Sequence, residues 1–178
     1  MPLAEIESLD REGRGVAHVD GKAIFVDGAL PSELVEFSSY RKKPSYELAQ
    51  VIRIERPSAE RVTPQCPWFG RCGGCSLQHF DPRAQVAAKQ RILEDALWHI
   101  GRVRPEQMLS PVCGPAWAYR HRARLSVRNV PKKGGILVGF HERKSSYVAD
   151  MSSCEVLPGF ISAAIPQLRE LVGSLSIR

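Results

Sequence analysis

Val16-Ala17-His18-Val19-Asp20-Gly21-Lys22-Ala23-Ile24-Phe25-Val26 sets two short apolar runs on either side of Asp20-Gly21. That dipeptide is a strong signal for a two-residue hairpin turn, because both of its positions must accept a positive φ. Similar runs flank it at residues 3–9, 34–40 and 48–54, with turn signals at Glu12-Gly13-Arg14-Gly15 and Lys43-Pro44-Ser45. Five short strands in about 55 residues suit a small closed barrel of the OB type. Such barrels often bind single-stranded nucleic acid, but the fold alone does not prove it.

Beyond the barrel the pattern changes. Residues 57–82 are loop-like, punctuated by Pro57, Pro64, Pro67 and Pro82 and by Gly70, Gly73 and Gly74. A domain boundary is expected there, with a barrel over 1–57 and a small α+β domain over 58–178. The predicted fold class is mainly β, or α+β. A helix is expected over 83–100, with Asp81 as N-cap, Pro82 in the first turn and Gly101 at the end. Val86, Leu93, Leu97 and Ile100 share one of its faces, and the helix reads as structural. Residues 119–130 alternate with period two, placing Arg120, Arg122, Arg124 and Arg128 on one face of an expected strand. Residues 136–141 and 146–150 look like two further strands. A last helix is expected from Pro158, with Pro166 near its first turn or kinking it.

Charge is concentrated. The chain has 178 residues and a net charge of +6, yet residues 120–144 alone carry +7 while residues 1–40 carry −5. A local excess of this kind is the electrostatic footprint of a polyanionic partner. The stretch is mostly arginine, whose planar fork suits bidentate phosphate contacts. A solvated basic face is the bland alternative. Hydrophobic residues make up 43 % and charged residues 25 %, which permits an ordinary core. No apolar run approaches the roughly 18 residues that a membrane span needs. The first residues carry early acids and no apolar leader core, so a cytoplasmic address is expected.

Five cysteines are present, an odd count with three of them clustered. Cys66-x5-Cys72-x2-Cys75 sits in a Gly/Pro loop whose residues bend freely. Glycines before Cys75 let backbone approach an inorganic group closely. Cys154, in a turn, is the best candidate for a fourth ligand. Those four thiolates can serve a [4Fe–4S] cluster. A structural zinc can take the same four, or three plus His79. Reduced cysteines in a core are the third possibility. Cys113 has no partner pattern and reads as a small buried hydrophobe.

Four motifs then occur in order: Gly13-Arg14-Gly15-Val16-Ala17, the cysteine stretch running on to Leu77, Gln78 and His79, the stretch from Tyr119 to Leu125, and Cys154 with Val156-Leu157-Pro158. Together they resemble the SAM-dependent RNA uracil-C5 methyltransferases of the RlmD (RumA) type, over nearly the whole chain. The resemblance implies an N-terminal TRAM domain, a [4Fe–4S] cluster on Cys66, Cys72, Cys75 and Cys154, and 23S rRNA as partner. It also implies a C-terminal Rossmann-like domain holding SAM, a nucleophilic cysteine and a carboxylate base. No Gly-rich strand–loop–helix motif follows residue 135 and no cysteine follows Cys154. The chain is therefore expected to be an inactive fragment with no catalytic residue and no SAM site of its own; a monomer is expected. A stand-alone RNA-binding module with a structural metal is the alternative.

RNA contacts are expected from Arg120, Arg122, Arg124, Arg128, Lys132, Lys133, Arg143 and Lys144. Arg122 and Arg124 lead, since they match the family strand. Arg41, Lys42 and Lys43, near Tyr40 and Tyr46, form a second candidate patch. Trp68 and Phe69 are expected to shield the cluster, with stacking on RNA as the alternative. The middle residue of Pro31-Ser32-Glu33, a position where relatives often carry glycine, departs from the family pattern.

Overall fold

The computed structural model describes residues 2–175. It is mainly β with two helices. The chain forms two compact units, and its segments alternate between them: Met1–Thr63 with His79–Val112, and Pro64–Gln78 with Cys113–Arg178.

The first unit is built on six strands: β1 (Leu3–Glu5), β2 (Ser8–Leu9), β3 (Gly15–Val19), β4 (Lys22–Asp27), β5 (Leu34–Lys42) and β6 (Tyr46–Arg56). Their order in the sheet is β1-β5-β6-β4-β3-β2. Asp20 and Gly21 have φ of 49° and 78°, the pair of positive values that the hairpin turn between β3 and β4 requires. The expected strand over 3–9 breaks into two. Ile6, 1 % exposed, turns into the core. Its N–H donates to Glu33 O, while the Glu7 N–H donates to Val16 O. The backbone thus changes partner strand within two residues. The two edge strands, β1 and β2, are separated only by Ile6 and Glu7, so the sheet rolls on itself. No ladder joins β1 to β2 among the described residues. Alternation along β3, β4 and β5 sends Ala17, Ile24, Val26, Val35 and Phe37 inward.

Helix α1 (Pro82–His99) follows. Asp81 accepts hydrogen bonds from the N–H groups of Arg83 and Ala84 at 2.8 and 3.4 Å, satisfying two of the donors a helix start leaves open. Among the described residues, no helix is long and apolar enough to cross a membrane.

The second unit holds an antiparallel pair, β7 (Ser126–Val130) and β8 (Gly135–Gly139), and helix α2 (Gly159–Ser174). Val138, Phe140, Met151, Leu157 and Ile165 form its core. Two expectations are corrected here. The strand predicted from residue 119 begins only at Ser126, because the N–H groups of Ala118 and Arg120 donate to Glu155 O and Val156 O instead of joining the β7–β8 ladder. The strand predicted over 146–150 reduces to one bridge, His141 with Val148. Pro166 lies inside α2.

Candidate metal centre and basic surface

Within the second unit, the cysteine loop is stitched to the exit of β8. Gly73 N–H donates to His141 O at 2.8 Å and Arg143 N–H to Arg71 O at 2.9 Å. Inside the loop, Phe69 N–H reaches Cys66 O and Cys72 N–H reaches Trp68 O. Gln78 Oε1 accepts from Cys66 N–H at 3.2 Å. Cys154 is placed from the other side: its N–H donates to Ser162 Oγ, in the first turns of α2, at 2.8 Å.

These constraints bring four thiols together. Cys66, Cys72, Cys75 and Cys154 line one cavity, walled by Trp68, Phe69, Gly74, Gln78, Phe140 and Met151. None of the four is in a disulfide. Burial pushes the Cys72 thiol up, the neighbouring cysteines push it further, and the Gly74 N–H opposes them. Burial likewise raises Cys75, against a hydrogen bond from Gln78 and the charge of Arg120. Left to themselves the Cys72 and Cys75 thiols hold their protons, and a metal centre taking them as thiolates must displace those protons.

Three observations test whether the residues suit an inorganic group. A Cβ at Gly74 would lie 3.2 Å from Phe140 Cδ2 and 3.4 Å from Cys72 Sγ, so only glycine leaves that side of the cavity clear. The Gly74 N–H points at Cys72 Sγ at 3.4 Å, the type of contact that stabilises a ligating sulfur. The buried Trp68 Nε1 has no hydrogen-bond partner among the described residues, and buried donors are rarely left so. A sulfur-rich group in the cavity would supply an acceptor. Among the described residues, no three His, Cys, Asp or Glu side chains are arranged to hold a single metal ion.

Not every candidate sits where the sequence suggested. His79 is buried but lies in the other unit and is not among the cavity residues. Cys113 is exposed, not buried; an irregular stretch surrounds it and gives it no core to enter. Phe140, Met151 and Gln78 are site residues that spacing missed. Of these, only Gln78 carried a signal, standing in the motif after Cys75.

The cations differ among themselves. Arg120 is half-buried, with its guanidinium over the Phe140 ring. Arg122, Arg124, Arg128, Lys132, Lys133 and Lys144 are exposed, while Arg143 is half-buried. Lys133 Nζ lies 3.8 Å from Glu142. In the first unit Arg41, Lys42 and Lys43 are exposed, Lys42 Nζ lies 3.8 Å from Glu47, and Tyr46 packs edge-on against Phe25. Tyr46 is thus committed to packing against β4.

No family model matches the chain. It is 63 % identical over 177 residues to the 23S rRNA (uracil(1939)-C(5))-methyltransferase RlmD of Aromatoleum aromaticum, covering 99 % of this chain and 41 % of that protein. The protein of the same name from Dechloromonas aromatica is 60 % identical over the same shares. That from Burkholderia cenocepacia is 63 % identical over 183 residues, with 99 % and 39 % covered. The solved Pyrococcus abyssi tRNA (uracil-54, C5)-methyltransferase in complex with S-adenosyl-L-homocysteine superposes with a TM-score of 0.61 at 23 % identity, covering 96 % of this chain and 36 % of that one. That likeness speaks to fold alone. Along its whole length the chain matches the N-terminal part of 23S rRNA uracil-C5 methyltransferases of the RlmD type, and it spans about two-fifths of the length of those relatives.

Proposed function

We propose that this chain is the RNA-engaging, iron–sulfur-bearing N-terminal part of a SAM-dependent rRNA uracil-C5 methyltransferase acting in the cytoplasm. The observation that carries this reading is the meeting of Cys154 with Cys66, Cys72 and Cys75 around one cavity, in the same unit as the basic stretch 120–144. In the proposal, the four thiolates hold a [4Fe–4S] cluster, which supplies a covalent junction between distant chain segments. Arg122, Arg124 and Arg128, with Lys132, Lys133 and Lys144, meet phosphates or stack on bases of 23S rRNA. Arg41, Lys42 and Lys43 on the barrel add a second contact. Methyl transfer, SAM binding and the nucleophile belong to sequence outside this chain.

Anaerobic purification tests the metal assignment. About four iron and four sulfide per chain are expected, with broad visible absorbance. Zinc without sulfide would instead support a stand-alone RNA-binding module with a structural metal. Cys72→Ser should lose iron and weaken 23S rRNA binding together. Undiminished RNA binding by the iron-free variant would break the link between the centre and the basic surface.

A further inference from the structure

Three half-buried arginines of this chain each hold a carboxylate: Arg14 meets Asp10, Arg61 meets Glu33 and Arg169 meets Asp150. Charge taken out of water generally needs such a partner. Arg120 is half-buried as well, yet among the described residues no carboxylate meets its guanidinium. Its Cζ lies 4.8 Å from the centre of the Phe140 ring. A ring face repays only part of what desolvating a cation costs.

Behind that ring is the cysteine cavity. Phe140 is one of its walls, and a Cβ on Gly74 would stand 3.2 Å from the ring and 3.4 Å from Cys72 Sγ. The Arg120 N–H donates to Val156 O at 2.8 Å, which ties the arginine to the segment of Cys154 too. Its charge is felt at the sulfurs: burial raises the Cys75 thiol, and Arg120 opposes the rise. Phe140 is itself buried, and a charge carries further through apolar material than through solvent.

We infer that Arg120 is the counter-cation of the metal centre, set behind Phe140 to offset the negative charge of a cluster held by four thiolates. The inference rests on the reading above, that the cavity takes a [4Fe–4S] cluster. Such a cluster is a net anion and becomes more negative on reduction, so a fixed cation beside it holds the reduction potential up. A guanidinium suits the place: it is flat, weakly hydrated and always charged. Arg122 and Arg124 are exposed on the same segment and remain available to RNA.

Redox titration of the anaerobically purified protein, with dithionite as reductant and visible absorbance as the readout, decides the matter. Arg120→Met keeps an unbranched stem over Phe140 and removes the charge, while Arg120→Lys keeps the charge. The Met variant should show a more negative midpoint potential at wild-type iron and sulfide content. The Lys variant should recover most of that shift. A merely structural role would lower stability and leave both potentials alone. An unchanged potential in Arg120→Met overturns the inference, as does an equal shift in both variants. So does a wild-type potential accompanied by a loss of RNA affinity, which returns Arg120 to the RNA surface. If Arg120→Met fails to hold the cluster, iron content is read instead: retention in Arg120→Lys supports the charge role, and loss from both overturns it. Wild-type protein carrying zinc without sulfide is a different failure: it removes the cluster reading, and the counter-cation with it.

Discussion

The guanidinium of Arg120 lies over the ring of Phe140, with Cζ 4.8 Å from the ring centroid. Phe140 in turn walls the cysteine cavity, and the Arg120 N–H donates to Val156 O at 2.8 Å. Arg122 and Arg124, further along the same segment, are exposed. One arginine is braced against the fold and two reach solvent. Arg122→Ala and Arg124→Ala should each weaken RNA binding, lower the salt slope by about 1 and leave the Tm unchanged. Arg120→Ala should cost about 0.5–2 kcal/mol of stability, read in a denaturant titration. If Arg120→Ala instead matched Arg122→Ala in salt slope at full stability, this division of labour would be wrong.

Trp68 offers a sharper probe of the cavity. Its Nε1 is buried without an acceptor among the described residues. Trp68→Phe keeps an aromatic wall and removes the donor. Hydrogen bonds to cluster sulfurs favour the reduced, more negative state. The variant should therefore retain iron and show a more negative reduction potential in protein-film voltammetry. An unaltered potential would show that the indole N–H does not serve the centre.

Glu33 anchors the segment that follows β6. It is 0 % exposed, and its carboxylate accepts from the N–H groups of Leu30 and Ser58 and from Arg61 Nε at 2.8, 3.2 and 2.6 Å. Burial pushes its pKa up, but the Arg61 hydrogen bond, the two backbone donors and the Arg61 charge outweigh burial and hold it below the ordinary carboxylate value. A depressed folded pKa contributes stability above the unfolded value and loses it as pH falls through the folded one. Arg61→Ala strands a buried charge and should cost about 3–5 kcal/mol at neutral pH. Glu33→Gln should flatten the acid side of a stability–pH profile taken by urea titration. A profile unchanged on that side would remove Glu33 from acid unfolding.

Ser32 holds a φ of 67°, where a side chain costs about 1–2 kcal/mol and glycine costs nothing. Glycine at this position would relieve that cost. Ser32→Gly should raise stability by about 0.5 kcal/mol, the relief less the extra chain entropy of glycine. A loss of stability would mean that the weak Ser32 Oγ–Ser58 Oγ contact of 3.4 Å outweighs backbone strain.

Local chemistry was legible, and non-local pairing was legible only where a motif marked it, as at Cys154. Asp20-Gly21 and Asp81-Pro82 act within a few bonds of themselves, so their hairpin and helix start could be read directly. The alternation from Arg120 to Arg128 looked like one strand. Its first half found a backbone acceptor at Val156, more than thirty residues along the chain, and periodicity carries no information about such a partner. Cys154 carries a motif that marks it as a fourth ligand, whereas Cys113, expected to be buried, has none. Cys113 is exposed and Cys154 lines the cavity.

By itself, the sequence determined the turns, the helix caps, the basic segment and the three clustered thiols, because each depends on neighbours a few residues away. Only the tertiary structure decided that Phe140 and Met151 wall the cysteine cavity, that Arg120 turns inward while Arg122 does not, and that Cys113 is exposed. Those outcomes depend on which distant backbone groups and apolar surfaces find one another, and that is settled by packing the whole chain.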